Sequence, residues 1–278
     1  MLNVIEYVDQ RTKKLIERIS EYGEGKPSLL IITDKMGNGA NQSYIKSKCS
    51  FAEKVGIQCD VLEVDKNAFR GELDEELLLK IHSYSGVIIQ YPFYDYPFKD
   101  LCHFVTKHID SYKDVDGLGN HSAHEPCTPI GIFNYIDHLI EEGTVTKNPH
   151  VVVFGYGGLV GEPLVNMFMK YRSQYTVSVV RSKTSEKLKR QLIDSADVVV
   201  CATPNHNSVY ATNPNAVYVD CGCNRVDGKL LGNVPREYYT EEAKITPVPN
   251  GVGRMTVLSL FENVTVAFEL QRKEDEEL

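Results

Sequence analysis

The stretch His150-Val-Val-Val-Phe154-Gly155-Tyr-Gly157-Gly-Leu-Val-Gly161-Glu-Pro163 decides how the chain is read. His150 to Phe154 is short and rich in valine, as a strand buried on both faces should be, and the glycine turn after it opens a helix. Glycines in such a turn let backbone amides approach a pyrophosphate, and the positive end of the next helix lies where phosphates would sit. The spacing is GxGxxxG, one residue longer before its last glycine than the usual dinucleotide fingerprint. A turn needed only for tight strand-to-helix packing is the plainer alternative.

The next strand, Thr176 to Val180, leads into Arg181-Ser182-Lys183. An acid is expected at that place when ribose hydroxyls are read. Arg181 and Lys183 instead suit a ribose 2′-phosphate, with Ser182 as a hydrogen-bond donor, so NADP is preferred over NAD. A solvated basic loop is the competing reading.

Working outward, the same alternation fills the chain. Helical spacing covers residues 2–22, 41–55, 74–84, 130–142, 185–195 and 256–272, with a further helix from Leu159; strand patterns cover 27–33, 59–64, 86–90, 197–202 and 216–221. Strands separated by helical segments of that length imply parallel βαβ units, hence an α/β fold. The 278 residues favour two domains. Breaker-rich stretches at Gly117 to Pro129 and Pro247 to Gly253 suggest two crossings and a discontinuous domain.

Composition narrows the classes. Charged residues make up 24% and hydrophobic ones 42%, which excludes disordered and collagen-like chains. A net charge of −8 opposes a nucleic-acid partner held through phosphates. Apolar runs such as Val151 to Phe154 fall far short of the roughly 20 residues that a membrane-spanning helix needs. The opening Met1-Leu-Asn-Val-Ile-Glu has no basic-then-apolar design, so export is not expected and the reading is cytoplasmic. Seven scattered cysteines describe neither a disulfide framework nor a zinc knuckle, and no metal is assigned.

Tyr44 and Lys48 lie four apart on one helix face. A lysine moved toward neutrality could exchange protons, whereas a solvated one decorates a surface, and spacing alone favours the second. Gln90 ends an apolar run where open α/β sheets bind ligands, or else is an edge glutamine facing water. Asp114-Val-Asp116-Gly117 reads a ligand's donor groups or simply makes a turn.

Taken in order, Tyr44-Ile-Lys-Ser-Lys48, Val87-Ile-Ile-Gln90-Tyr-Pro92, Lys113-Asp-Val-Asp116-Gly117, Pro126-Cys-Thr-Pro129, Gly155 to Pro163 and Thr246-Pro-Val-Pro249-Asn-Gly-Val-Gly253-Arg-Met-Thr256 resemble the bifunctional methylenetetrahydrofolate dehydrogenase/cyclohydrolases over nearly the whole chain. The resemblance implies two αβα domains around a cleft, the second Rossmann-like: residues 1–120 with 254–278 for folate, and 121–253 for the dinucleotide. It implies NADP-dependent oxidation of methylenetetrahydrofolate to the methenyl compound, then hydrolysis to formyltetrahydrofolate, in one-carbon metabolism and purine biosynthesis, by a homodimer.

It also assigns roles. Lys48 manages protons in ring opening, Tyr44 stacks on or orders the folate, Gln90 orients the lysine and Asp116 pairs with the pterin nitrogens. Gly155, Tyr156, Gly157, Gly161, Arg181, Ser182 and Lys183 fall to the cofactor; Pro249, Gly251 and Thr256 join Tyr44, Gln90 and Asp116 at the substrate. Tyr156 and Gly157 stand where the family often has arginine and serine, and Tyr91-Pro-Phe93-Tyr94 replaces an aliphatic run. A member keeping one activity, or a folate or dinucleotide sensor without turnover, stays open as an alternative.

Overall fold

The computed structural model describes every residue except 1, 24, 35–38, 66, 69–73, 95 and 278, and gives only the backbone of 39, 40, 274, 275 and 277. In chain order the elements are α1 (Val4–Ser20), β1 (Ser28–Asp34), α2 (Gly39–Val55), β2 (Gln58–Val64), α3 (Glu75–His82), β3 (Gly86–Ile89), α4 (Phe98–His108), α5 (Cys127–Glu141), β4 (His150–Phe154), α6 (Gly161–Tyr171), β5 (Thr176–Val180), α7 (Glu186–Ser195), β6 (Val198–Cys201), β7 (Val217–Asp220), β8 (Asn224–Val226), β9 (Lys229–Leu231) and α8 (Val252–Glu277). The chain divides into two compact units, residues 11–127 with 257–278 and residues 1–10 with 128–256. The expected division fell at 120/121 and 253/254; here the chain changes unit at 127/128 and 256/257, within α5 and α8, and also within α1.

The first of these units holds a parallel sheet in the order β2-β1-β3. The central strand β1 and its neighbour β3 are apolar on both faces, as a strand covered on both sides requires. On one side Leu30, Ile32, Val87 and Ile89 pack with Leu101, Phe104 and Val105 of α4. Each such buried side chain contributes roughly 1.5–3 kcal/mol. Leu101, Phe104 and Val105 recur at helical spacing, the property that folds α4 against the sheet. Phe51 of α2 meets Phe261 of α8, and Arg11 and Arg18 of α1 pair with Glu262 and Glu269 of α8.

The other unit holds a parallel sheet in the order β5-β4-β6-β7. Val151 to Val153 and Val198 to Val200 are fully buried in it, so the stretch that decided the reading is an interior strand. A separate hairpin, β8-β9, turns at Asp227 and Gly228, both with positive φ. The Asp220 carboxylate at the end of β7 ties that segment down: it accepts from the amides of Gly222, Asn233 and Val234 at 2.8 Å and from the Tyr239 hydroxyl at 2.7 Å. No helix among the described residues is long and apolar enough to cross a membrane.

Candidate active site

In the unit of residues 11–127 and 257–278, the chemistry gathers around Lys48. Its Nζ donates to Gln90 Oε1 at 2.7 Å. Gln90 lies one residue beyond β3, and its backbone amide donates to Ile32 O at 2.8 Å, so the β1–β3 ladder fixes it. Its Nε2 is engaged by Tyr91 O at 2.8 Å, which leaves Oε1 turned to the amine. Gln90 is buried, not an edge glutamine facing water. Lys48 is likewise no solvated decoration: it is half-buried. Burial lowers its pKa, opposed by the Asp116 carboxylate, which favours the charged form.

Asp116 is delivered by a tightly held turn. Lys113 Nζ donates to His82 O at 2.5 Å and Tyr84 O at 3.0 Å, and the Asp114 carboxylate accepts from Gly119 N at 2.7 Å and Leu118 N at 3.3 Å. Val87 N donates to Lys113 O at 2.8 Å, linking this turn to the same β3 that carries Gln90. A fourth group faces the cluster that motif reasoning gave no role. Cys127 is buried, its thiol pushed well up, first by burial and then by Asp116, while Lys48 pulls the other way. Its signal was present in Pro126-Cys-Thr-Pro129, where a thiol at a helix start stands out among prolines.

Tyr44 lies one turn before Lys48 on α2 with its side chain 44% exposed. Tyr91 is also exposed, and its ring meets Phe98 edge-on at 5.2 Å. Two accessible phenol rings therefore flank the Lys48–Gln90 pair in sequence, on α2 and after β3, and either offers a flat apolar face to an aromatic ligand.

In the unit of residues 1–10 and 128–256, β4 runs into the glycine turn and α6. A side chain at Gly155 would collide with Ala202 O, and one at Gly161 with Gly155 O, so packing alone demands glycine at both. Around Gly157 and Gly158 the opposite holds: an added Cβ would meet no protein atom within 4 Å, so the turn borders open space. Val160, at the N-cap of α6, makes no side-chain capping bond, and the first amides of the helix remain available to an anion. This arrangement fits a pyrophosphate.

Arg181 follows β5, and its guanidinium lies over the Tyr156 ring at 4.7 Å. Arg181, Ser182 and Lys183 are all exposed. The turn residue that replaces the family's arginine thus stacks against an arginine from the neighbouring strand end. Pro249 is exposed and Gly251 buried, its Cβ position filled by Pro247 O. Thr256 shares a 2.9 Å hydroxyl contact with Thr128. The structure therefore brings together Lys48, Gln90 and Asp116 in one unit, and Tyr156 with Arg181 in the other. Among the described residues no group of three His, Cys, Asp or Glu could hold a metal ion.

Residues 126–272 match the family model described as tetrahydrofolate dehydrogenase/cyclohydrolase, NAD(P)-binding domain. The chain belongs to this family. Among the family's proteins, the chain is similar to a bifunctional protein FolD of Mesoplasma florum, 32% identical over 94% of each chain. A solved bifunctional FolD methylenetetrahydrofolate dehydrogenase/cyclohydrolase from Campylobacter jejuni superposes with a TM-score of 0.77, 27% identity and coverage of 96% of this chain and 97% of that one. The corresponding bifunctional enzyme from Thermoplasma acidophilum gives 0.78 at 27% identity with the same coverage. The family's α/β architecture with parallel sheets is the one seen here.

Proposed function

We propose that the protein oxidises methylenetetrahydrofolate to methenyltetrahydrofolate with NADP and hydrolyses that product to formyltetrahydrofolate. The observation that carries the reading is the half-buried Lys48 held by Gln90, within the field of Asp116, in a chain of this family. The folate belongs to the unit that carries Lys48, the dinucleotide to the unit that carries Gly155.

NADP, when bound, supplies the hydride acceptor for the folate's methylene carbon. Hydride loss leaves a cation on that carbon, so the protein's task is alignment more than base strength. Tyr44 lies against the pterin and Asp116 accepts from its amino and ring N–H groups. The family resemblance also assigns Pro249, Gly251 and Thr256, of the unit of residues 1–10 and 128–256, to the substrate. The amides of Gly157 and Gly161 would approach the pyrophosphate, while Gly155, whose N–H donates to Val180 O at 3.1 Å, supplies the close backbone approach without a side chain. Arg181, Ser182 and Lys183 would take the 2′-phosphate, with Tyr156 bracing Arg181.

In the hydrolytic step a water oxygen bonds to the methenyl carbon while Lys48 Nζ, in its neutral form, takes the proton. The ring carbon–nitrogen bond then breaks: the proton held by Lys48 passes to the departing nitrogen, and the hydroxyl left by the attacking water gives its remaining proton to solvent as the formyl carbonyl forms, so one proton is released overall. Gln90 Oε1 holds the amine in place in both charge states, because an amine and an ammonium each have an N–H to donate.

A homodimer, a cytoplasmic location and a part in purine biosynthesis belong to the same reading and rest on the family resemblance. Sedimentation of the purified protein at twice the mass of one chain supports the dimer; a single-chain mass removes it. The function itself is tested by following methylenetetrahydrofolate oxidation with NADP and with NAD, and methenyltetrahydrofolate hydrolysis without either. Both activities are expected, with NADP the better acceptor. Turnover of neither folate would contradict the proposal.

A further inference from the structure

Asn233, two residues beyond β9, is fully buried although its side chain is polar. Its Nδ2 donates to Asn205 O at 2.7 Å, Thr203 O at 3.0 Å and Thr203 Oγ1 at 3.0 Å, and its Oδ1 accepts from Thr203 N at 3.3 Å. The orientation of the amide is fixed by these partners, since carbonyl oxygens face the nitrogen and an N–H faces the oxygen. Its own backbone is held as firmly. The amide donates to Asp220 Oδ1 at 2.8 Å, and the carbonyl accepts from Ser208 N at 2.7 Å and Val209 N at 3.1 Å. One residue therefore clamps both ends of the segment from Thr203 to Val209, just past the carboxyl end of β6.

That segment is the seat of the glycine turn. The Gly155 backbone lies so close to the Ala202–Thr203 peptide that a Cβ would collide with Ala202 O and reach 3.0 Å from Thr203 N. Gly155 is held on one side by the bond from its amide to Val180 O at 3.1 Å and on the other abuts the Ala202–Thr203 peptide, whose Thr203 end is held by Asn233. The carboxyl ends of β4 and β6, where this happens, are where a sheet of this topology binds its ligand.

We propose that Asn233 is a positioning residue for the dinucleotide: its side-chain amide fixes the Thr203 to Asn205 loop under Gly155 and so sets where the glycine turn meets the pyrophosphate. The inference rests on the proposed NADP-dependent activity and adds to it a residue that need not touch the cofactor. The chemistry requires an amide. An aspartate in the same volume would keep the bond from Thr203 N but would set a carboxylate oxygen against the carbonyl oxygens of Thr203 and Asn205.

The test is Asn233→Asp and Asn233→Ala in the full chain, read by calorimetric titration with NADP and by steady-state kinetics of both activities. Asn233→Asp is expected to weaken NADP binding, and to raise its KM, by roughly tenfold or more, the scale of a buried polar group left facing a wrong partner. The kcat at saturating NADP and the hydrolysis of methenyltetrahydrofolate, which uses no dinucleotide, are expected to stay near wild type. Asn233→Ala should be the milder change, because it removes hydrogen bonds without opposing two oxygens. Unchanged NADP affinity in Asn233→Asp, or a parallel fall of oxidation and hydrolysis in both variants, overturns the proposal. Absence of NADP-dependent oxidation in the wild-type protein would instead overturn the functional reading, before any variant is compared.

Discussion

Lys48 Nζ donates to Gln90 Oε1 at 2.7 Å, joining a helix residue to the end of the strand β3 that runs beside the sheet's centre. Lys48→Met keeps much of the side chain's volume and removes the amine. Methenyltetrahydrofolate hydrolysis is expected to fall by about 10²–10⁴, the usual worth of a positioned acid or base. A stopped assay of the variant at neutral pH checks this, and hydrolysis at the wild-type rate would remove Lys48 from the mechanism.

The same variant has a stability consequence. Burial lowers the Lys48 pKa, so the folded chain gives up this proton at a lower pH than the unfolded chain does. The charged amine therefore costs stability at all pH values below the lowered value, and the cost fades as pH climbs to the ordinary lysine value of 10.5. Lys48→Met is expected to melt above wild type at neutral pH, with the gap closing toward alkaline pH. Melting curves across that range decide it; a variant less stable at pH 7 than at pH 10, relative to wild type, has the wrong sign.

Arg181 stacked on Tyr156 makes a separable prediction about cofactor choice. Arg181→Ala removes a charge aimed at the 2′-phosphate, which NAD lacks. The KM for NADP should rise roughly 10-fold or more, as for loss of a charge-assisted hydrogen bond, while that for NAD changes little. Equal changes for the two dinucleotides would show that the loop is only a solvated basic tip.

Gly161→Ala tests the turn. The added methyl group collides with Gly155 O, so the turn must open or α6 must shift. Calorimetry should find NADP binding lost, with methenyltetrahydrofolate hydrolysis retained by the other unit. Wild-type NADP affinity in this variant would mean that the turn does not hold the pyrophosphate.

Much of this was legible in the residues, and the exceptions have physical reasons. The strands His150–Phe154 and Thr176–Val180 fall where valine-rich runs between turn formers put them. Helix α4 went unread because Tyr91 to Pro97 looks like loop, although Leu101, Phe104 and Val105 carry a helical stripe. The β8–β9 hairpin is absent from the sequence reading: Asp227-Gly228 supplies the positive φ pair such a turn needs, but its strands are too short and polar to show alternation. Helix α8 starts at Val252, immediately after Gly251, inside a stretch whose prolines and glycines read as a pure crossing. What spacing could not supply was the state of Lys48. A lysine four residues from a tyrosine looks solvated until Gln90, 42 positions away, is seen accepting from it. Asn233 was equally hidden, since only tertiary packing shows that an asparagine after a short strand is buried.

The most direct measurement is the pH dependence of kcat for methenyltetrahydrofolate hydrolysis in wild type and Asp116→Asn. If Lys48 in its neutral form takes the proton, the rate rises with pH through the Lys48 value. Asp116 opposes the burial that lowers this value, so its neutral replacement moves the rising limb to lower pH, whatever happens to the height of the profile. A limb that stays in place, or moves to higher pH, contradicts the account.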